Sequence, residues 1–117
     1  MKTLFVSYRV TDLDRSLVFY TALGYVELGR VEAGDRSHLV ILKFPGEPAA
    51  SLELVHRPVD GRVDGGSGVE HLAIQVDTLA ATVERLTDPD GYRIELVEWP
   101  PGHLDGLTAA DFGPRVR

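Results

Sequence analysis

The sequence predicts an α+β domain in which one strand–helix–strands unit is laid down twice. Three observations carry this. Leu4, Val6, Tyr8 and Val10 alternate with Phe5, Ser7 and Arg9 at a period of two. Residues 11–24 then switch to helical spacing and end on a glycine. Finally, LELVHRP at 52–58 is echoed by IELVEWP at 94–100, an internal repeat that points to two related modules. With 117 residues, 44% of them hydrophobic and 26% charged, the chain fits one domain. A chain of this size buries about two thirds of its unfolded surface, enough to fold without staples.

The first strand is expected over 4–10, with Phe5, Ser7 and Arg9 turned away from the packed layer. Thr11 offers a side-chain acceptor for a helix start, Asp14 lies in the first turn, and Leu13, Leu17 and Tyr20 recur at helical spacing until Gly24. Residues 25–32 and 38–44 read as strands around the turn-like segment 33–36, and FPGEP at 44–48 imposes an irregular connection. A fourth strand covers 51–57. Pro58 to Gly68, rich in Gly and Asp, is expected to link the two halves. Val69 to Val76 restarts the pattern as a strand, Asp77 offers a cap, and Leu79, Val83 and Leu86 predict a short amphipathic helix. AspProAspGly at 88–91 is a turn by its own chemistry, and Tyr92 to Trp99 is the last strand. The tail at 101–117, with Leu104 and Leu107 as apolar positions, is expected to lie over the surface or a partner.

Composition narrows the function. There is no cysteine, so disulfides and thiolate-bound metal are excluded, while histidine and carboxylate ligands stay open. Twelve Lys plus Arg against eighteen Asp plus Glu give a net charge of -6 without a basic cluster, which argues against nucleic acid. The opening MKTLFVSYRV has no apolar block of the kind found in a leader, and no run of eighteen apolar residues occurs. The expectation is a soluble cytoplasmic protein with no membrane partner.

Superposing the halves by these elements brings Val10 onto Val76, Phe5 onto His71 and Glu53 onto Glu95. By strand parity His71 faces away from Leu72, Ile74 and Val76, and each Glu faces away from its apolar neighbours. A sheet curved around a cleft points Phe5, Arg9, Glu53, His71 and Glu95 into it. Two carboxylates and an imidazole in a partly dry cleft cost several kcal/mol unless a cation compensates, and a divalent metal does so economically. The plainer alternative pairs Glu53 with Arg57 and Glu95 with Arg93 as surface ion pairs, worth about 0–1 kcal/mol each. Either reading accounts for the carboxylates; the symmetry of placement favours a shared site.

The segments YRVTDLDRSLVFYTALGY, LELV, GVEHLAIQVD and DPDGYRIELVE resemble the vicinal oxygen chelate superfamily, which includes glyoxalase I, bleomycin-resistance proteins and extradiol dioxygenases. The resemblance covers residues 4–100 and implies two βαβββ modules forming a cupped mixed sheet, a divalent metal and often a homodimer. It places modules at 4–58 and 69–100 of a single domain over 1–117. From Phe5 to Glu53 is 48 positions but from His71 to Glu95 only 24, so the second module is expected to lack about two strands. Either a partner completes it or, as the reading favours, a segment is missing between Leu86 and Thr87.

Ligands in glyoxalase-like members come from the first and last strands of each module, which implies Phe5, Glu53, His71 and Glu95 here. Phenylalanine has no lone pair for a metal, so the implied set is Glu53, His71 and Glu95 with water, suited to Zn, Ni, Mn, Co or Mg. His56 faces the wrong way by parity, and His38 and His103 would serve only if their loops brought them in. The implied activity is a metal-dependent lyase or isomerase acting on a small 2-oxoaldehyde adduct, with Glu95 or Glu53 as the base. Arg9 matches a position that contacts an anionic substrate group, and Arg57 stands where the family commonly has asparagine. The alternative is a small-molecule binding protein of the bleomycin-resistance type, with Phe5 and Trp99 lining its cavity.

Overall fold

The computed structural model of the protein describes residues 1–77, 83–98 and 106–112, and the side chain of Val83 lies outside that description. Its elements are β1 (Val6–Arg9), α1 (Leu13–Leu23), β2 (Val26–Glu32), β3 (His38–Lys43), β4 (Leu52–His56), β5 (Leu72–Val76), β6 (Val83–Thr87) and β7 (Arg93–Glu98). Short 3-10 turns stand at Pro58–Asp60 and Ala109–Phe112. Two compact units result: Met1–Val69 with Thr87–Tyr92, and Glu70–Leu86 with Arg93–Arg117.

In the first unit the strand order is β1-β4-β3-β2, with β1 parallel to β4 and the other neighbours antiparallel. Parallel neighbours need a crossover, and α1 begins that connection. Tyr8, Leu54 and Val40 form one register row and are buried; Leu52 and Leu42 form the next. The helix buries Leu13, Ser16 and Tyr20, while Leu17 is only half-buried. Asp12, not Thr11, caps α1, accepting from the Arg15 N–H at 3.1 Å. Thr11 is spent elsewhere: its hydroxyl accepts from the Val63 N–H at 2.8 Å and its own N–H donates to the Asp90 carboxylate. Gly24 ends the helix at φ 119°, a left-handed conformation that side chains resist.

The second unit holds a sheet of order β5-β7-β6, with β5 parallel to β7. Ile74 and Ile94 are buried on one of its faces. The two parallel ladders run in equivalent register: Val6 pairs with Leu52 as Leu72 pairs with Ile94, and Ser7 pairs with Glu53 as Ala73 pairs with Glu95. The internal repeat is therefore structural. Extending the ladders by one residue sets Phe5 in the place that His71 takes in the second module.

One expectation fails between residues 79 and 87. Val83–Thr87 is the strand β6 rather than the end of a helix, because it pairs with β7 across a tight turn. In that turn Gly91 N–H donates to Asp88 O at 3.0 Å and Asp88 N–H to Tyr92 O at 2.9 Å. Leu79 lies outside the described residues. The second sheet has three strands against four in the first. Strand β6 thus supplies one of the two strands that the short interval appeared to cost.

Candidate functional site

In the first unit, the face opposite Leu52 and Leu54 carries the candidate polar residues. Ser7 and Glu53 are register partners on β1 and β4, and the Ser7 hydroxyl donates to Glu53 Oε1 at 2.7 Å. Arg9 and Arg57 converge on one carboxylate oxygen, Asp60 Oδ2, at 3.6 and 3.7 Å. Two guanidiniums on one carboxylate leave an excess of one positive charge. The expected pairing of Glu53 with Arg57 is replaced, because the 3-10 turn at Pro58–Asp60 folds Asp60 back toward both arginines. Phe5 sits half-buried just before β1.

In the second unit, His71 Nε2 lies 3.9 Å from Glu95 Oε2. His71 precedes β5, and its diagonal neighbour across the parallel ladder is Glu95, the register partner of Ala73. Two bonds of about 2.1 Å at a tetrahedral angle set the donor atoms about 3.4 Å apart, so the pair stands slightly wider than a divalent ion needs and closes onto one with a small side-chain movement. Arg85 on β6 reaches the same oxygen, Nε to Oε2 at 3.7 Å. Its side chain is 82% exposed, so the pair is worth no more than about 1 kcal/mol. Arg93, the other expected partner of Glu95, instead meets Glu70 at 3.8 Å. Among the described residues no three His, Asp or Glu side chains stand together at metal-holding distance. Trp99 and His103 lie outside the described residues.

His56 follows parity onto the opposite face from Glu53, where its Nδ1 lies 3.3 Å from Val10 O. Sequence reasoning missed Ser7 and Asp60, whose roles depend on a register and a turn, and Arg85, which the helical reading of 79–86 turned elsewhere. It also missed a buried pair in the first unit. The Tyr20 hydroxyl donates to Asp88 Oδ2 at 2.7 Å, while Oδ1 accepts from the N–H groups of Asp90 and Tyr92. Burial first, then Asp88, pushes the Tyr20 hydroxyl far above its ordinary value.

Residues 6–109 match the family described as the Glyoxalase/Bleomycin resistance protein/Dioxygenase superfamily. The chain belongs to that superfamily. The lactoylglutathione lyase of Haemophilus influenzae is 32% identical to this superfamily member over 125 residues, covering 84% of this chain and 93% of its own. That of Salmonella typhimurium is 29% identical over the same shares. Glyoxalase I of Leishmania major, described as trypanothione-dependent, superposes with a TM-score of 0.74 at 28% identity over 84% of this chain and 86% of that one. A glyoxalase I mutant of Zea mays gives 0.67 at 27% identity over 80% and 44%. The mixed α+β fold with two sheets is thus the glyoxalase fold, and the chain is a glyoxalase-like lyase. The sequestering alternative is not favoured by these relatives. An alignment of 125 positions that draws on 84% of a 117-residue chain must contain a segment present in the relative and absent here. The short interval between β5 and β7 has room for that difference. No helix among the described residues is long and apolar enough to cross a membrane.

Proposed function

We propose that this chain is a metal-dependent lyase that isomerises the thiol adduct of a small 2-oxoaldehyde, its two modules (4–58 and 69–100) acting as one domain and as a homodimer. The observation that supports it most is the apposition of His71 and Glu95 at 3.9 Å, with Glu53 at the equivalent repeat position. His71 and Glu95 would hold a divalent ion, Zn, Ni, Mn, Co or Mg, with Glu53 as the third donor and water beyond. Such an ion would supply Lewis-acid polarisation of the substrate.

The protein's own groups do the rest. Glu95 or Glu53 takes the proton from the carbon that bears sulfur and returns it to the adjacent carbonyl carbon. As the hydroxyl proton on the first carbon's oxygen passes to the second carbon's oxygen, the first carbon becomes a thioester carbonyl and the second an alcohol, so no external oxidant or reductant is needed. Ser7, donating to Glu53 Oε1, holds that carboxylate in one orientation. Arg9 and Arg57, with the positive charge that Asp60 leaves uncancelled, receive the anionic end of the thiol. Phe5 gives the adduct an apolar wall.

The test is turnover of the glutathione adduct of a 2-oxoaldehyde by the purified chain reconstituted with each ion. His71→Ala and Glu95→Gln should each lower kcat/KM by at least a hundredfold, and chelation should abolish turnover. Arg9→Ala and Arg57→Ala should raise KM several-fold with kcat little changed. Activity that survives chelation and both ligand substitutions would falsify the proposal, as would tight adduct binding without turnover under every ion.

A further inference from the structure

We propose a second metal site, on the helix side of the first sheet, in which His38 and His56 together chelate a borderline divalent ion such as Ni²⁺, Cu²⁺ or Zn²⁺. The site begins with register. His38 and His56 are direct partners across antiparallel β3 and β4, so their side chains leave one face with Cβ atoms about 4.5–5.5 Å apart. That face carries Val40 and Leu54, opposite the one bearing Glu53.

Tautomer gives a second reason. A carbonyl oxygen only accepts, so the 3.3 Å contact from His56 Nδ1 to Val10 O puts the proton on Nδ1 and leaves Nε2 with its lone pair. A ring held by an Nδ1–H bond to a backbone carbonyl is the arrangement that orients metal-binding histidines.

The surroundings supply the third. Both imidazoles line an open cleft of about 560 Å³ with Arg30 and with Asp12 and Asp14 at the start of α1. Glu27 grips the Arg30 guanidinium at 2.7 and 3.4 Å, so that charge is answered locally. The two aspartates leave the mouth acidic and unsuited to an anion. Imidazole donors select a borderline cation over Mg²⁺ or Ca²⁺. Because no third protein ligand is gathered among the described residues, water completes the shell and the ion exchanges freely.

The site does not rest on the lyase reading, and the experiment keeps them apart. The full chain carrying His71→Ala and Glu95→Gln is titrated with Ni²⁺ alone. It should bind one equivalent and broaden the imidazole proton resonances of His38 and His56 together. Adding His38→Gln or His56→Gln should weaken that binding at least tenfold. In the otherwise unsubstituted chain, His38→Gln should remove one Ni²⁺ equivalent and leave turnover of the 2-oxoaldehyde adduct intact. Unchanged Ni²⁺ affinity in both histidine variants, or no saturable binding by a background chain that is folded by circular dichroism, overturns the site.

Discussion

Tyr20 is fully buried, and its hydroxyl gives Asp88 one of the three hydrogen bonds that this carboxylate accepts. Losing a buried bond to a charged group costs about 1.5–3 kcal/mol, so Tyr20→Phe should lower the urea-unfolding free energy by that amount at pH 7. The same variant should behave differently in alkali. Burial raises the Tyr20 hydroxyl, with Asp88 adding to it, so above pH 10 the unfolded chain loses a proton that the folded chain keeps. Stability from this tyrosine is complete below pH 10 and drains away above it, by about 1.4 kcal/mol per pH unit. Tyr20→Phe should therefore flatten the alkaline fall in stability although it weakens the protein at neutral pH. Parallel curves for the two proteins between pH 10 and 11.5 would refute the assignment. Tyr20 and Asp88 are 68 positions apart, and nothing in either local pattern announces their bond. Parity, by contrast, could be read from single residues, and it correctly set His56 on the face away from Glu53.

Legibility of the elements followed whether the local pattern had a competitor. The segments 4–10, 25–32, 38–44 and 51–57 alternate and became β1 to β4 with frayed ends trimmed. Val83 and Leu86 satisfy helical spacing as well as a short strand does, and pairing with β7 across the turn at 88–92 decided for β6. At the start of α1 both Thr11 and Asp12 can cap, and the choice turned on Val63 and Asp90, which occupy Thr11 from distant parts of the chain. This separates two substitutions that a helix propensity scale treats alike. Asp12→Ala removes the acceptor for the Arg15 N–H and should cost about 0.5–2 kcal/mol, chiefly through α1. Thr11→Val should leave the amide protection of α1 unchanged and expose the Val63 N–H instead. Amide exchange resolved by residue distinguishes them; equal loss of protection at Arg15 in both variants contradicts the assignment.

At the scale of the whole chain the two units are unequal. The first encloses Tyr20, Val40, Leu42, Leu52 and Leu54 almost completely, whereas in the second the buried apolar side chains among the described residues are Ile74 and Ile94. Sheets with few buried apolar side chains open at lower free energy than the global transition. The second unit also carries the His71–Glu95 pair, so the least anchored sheet holds the donors proposed for the metal. An ion that binds only the closed form adds RT ln(1 + [L]/Kd), about 2.7 kcal/mol at a hundredfold excess over Kd. Amides of β5 and β7 should therefore exchange faster than those of β3 and β4 in the metal-free chain. Saturating ion should slow them by about a hundredfold while β3 and β4 change far less. His71→Ala should remove that slowing without altering the metal-free rates of β3 and β4. If β5 and β7 were as protected as β3 and β4 before any ion was added, the second sheet would need a source of stability beyond its own core.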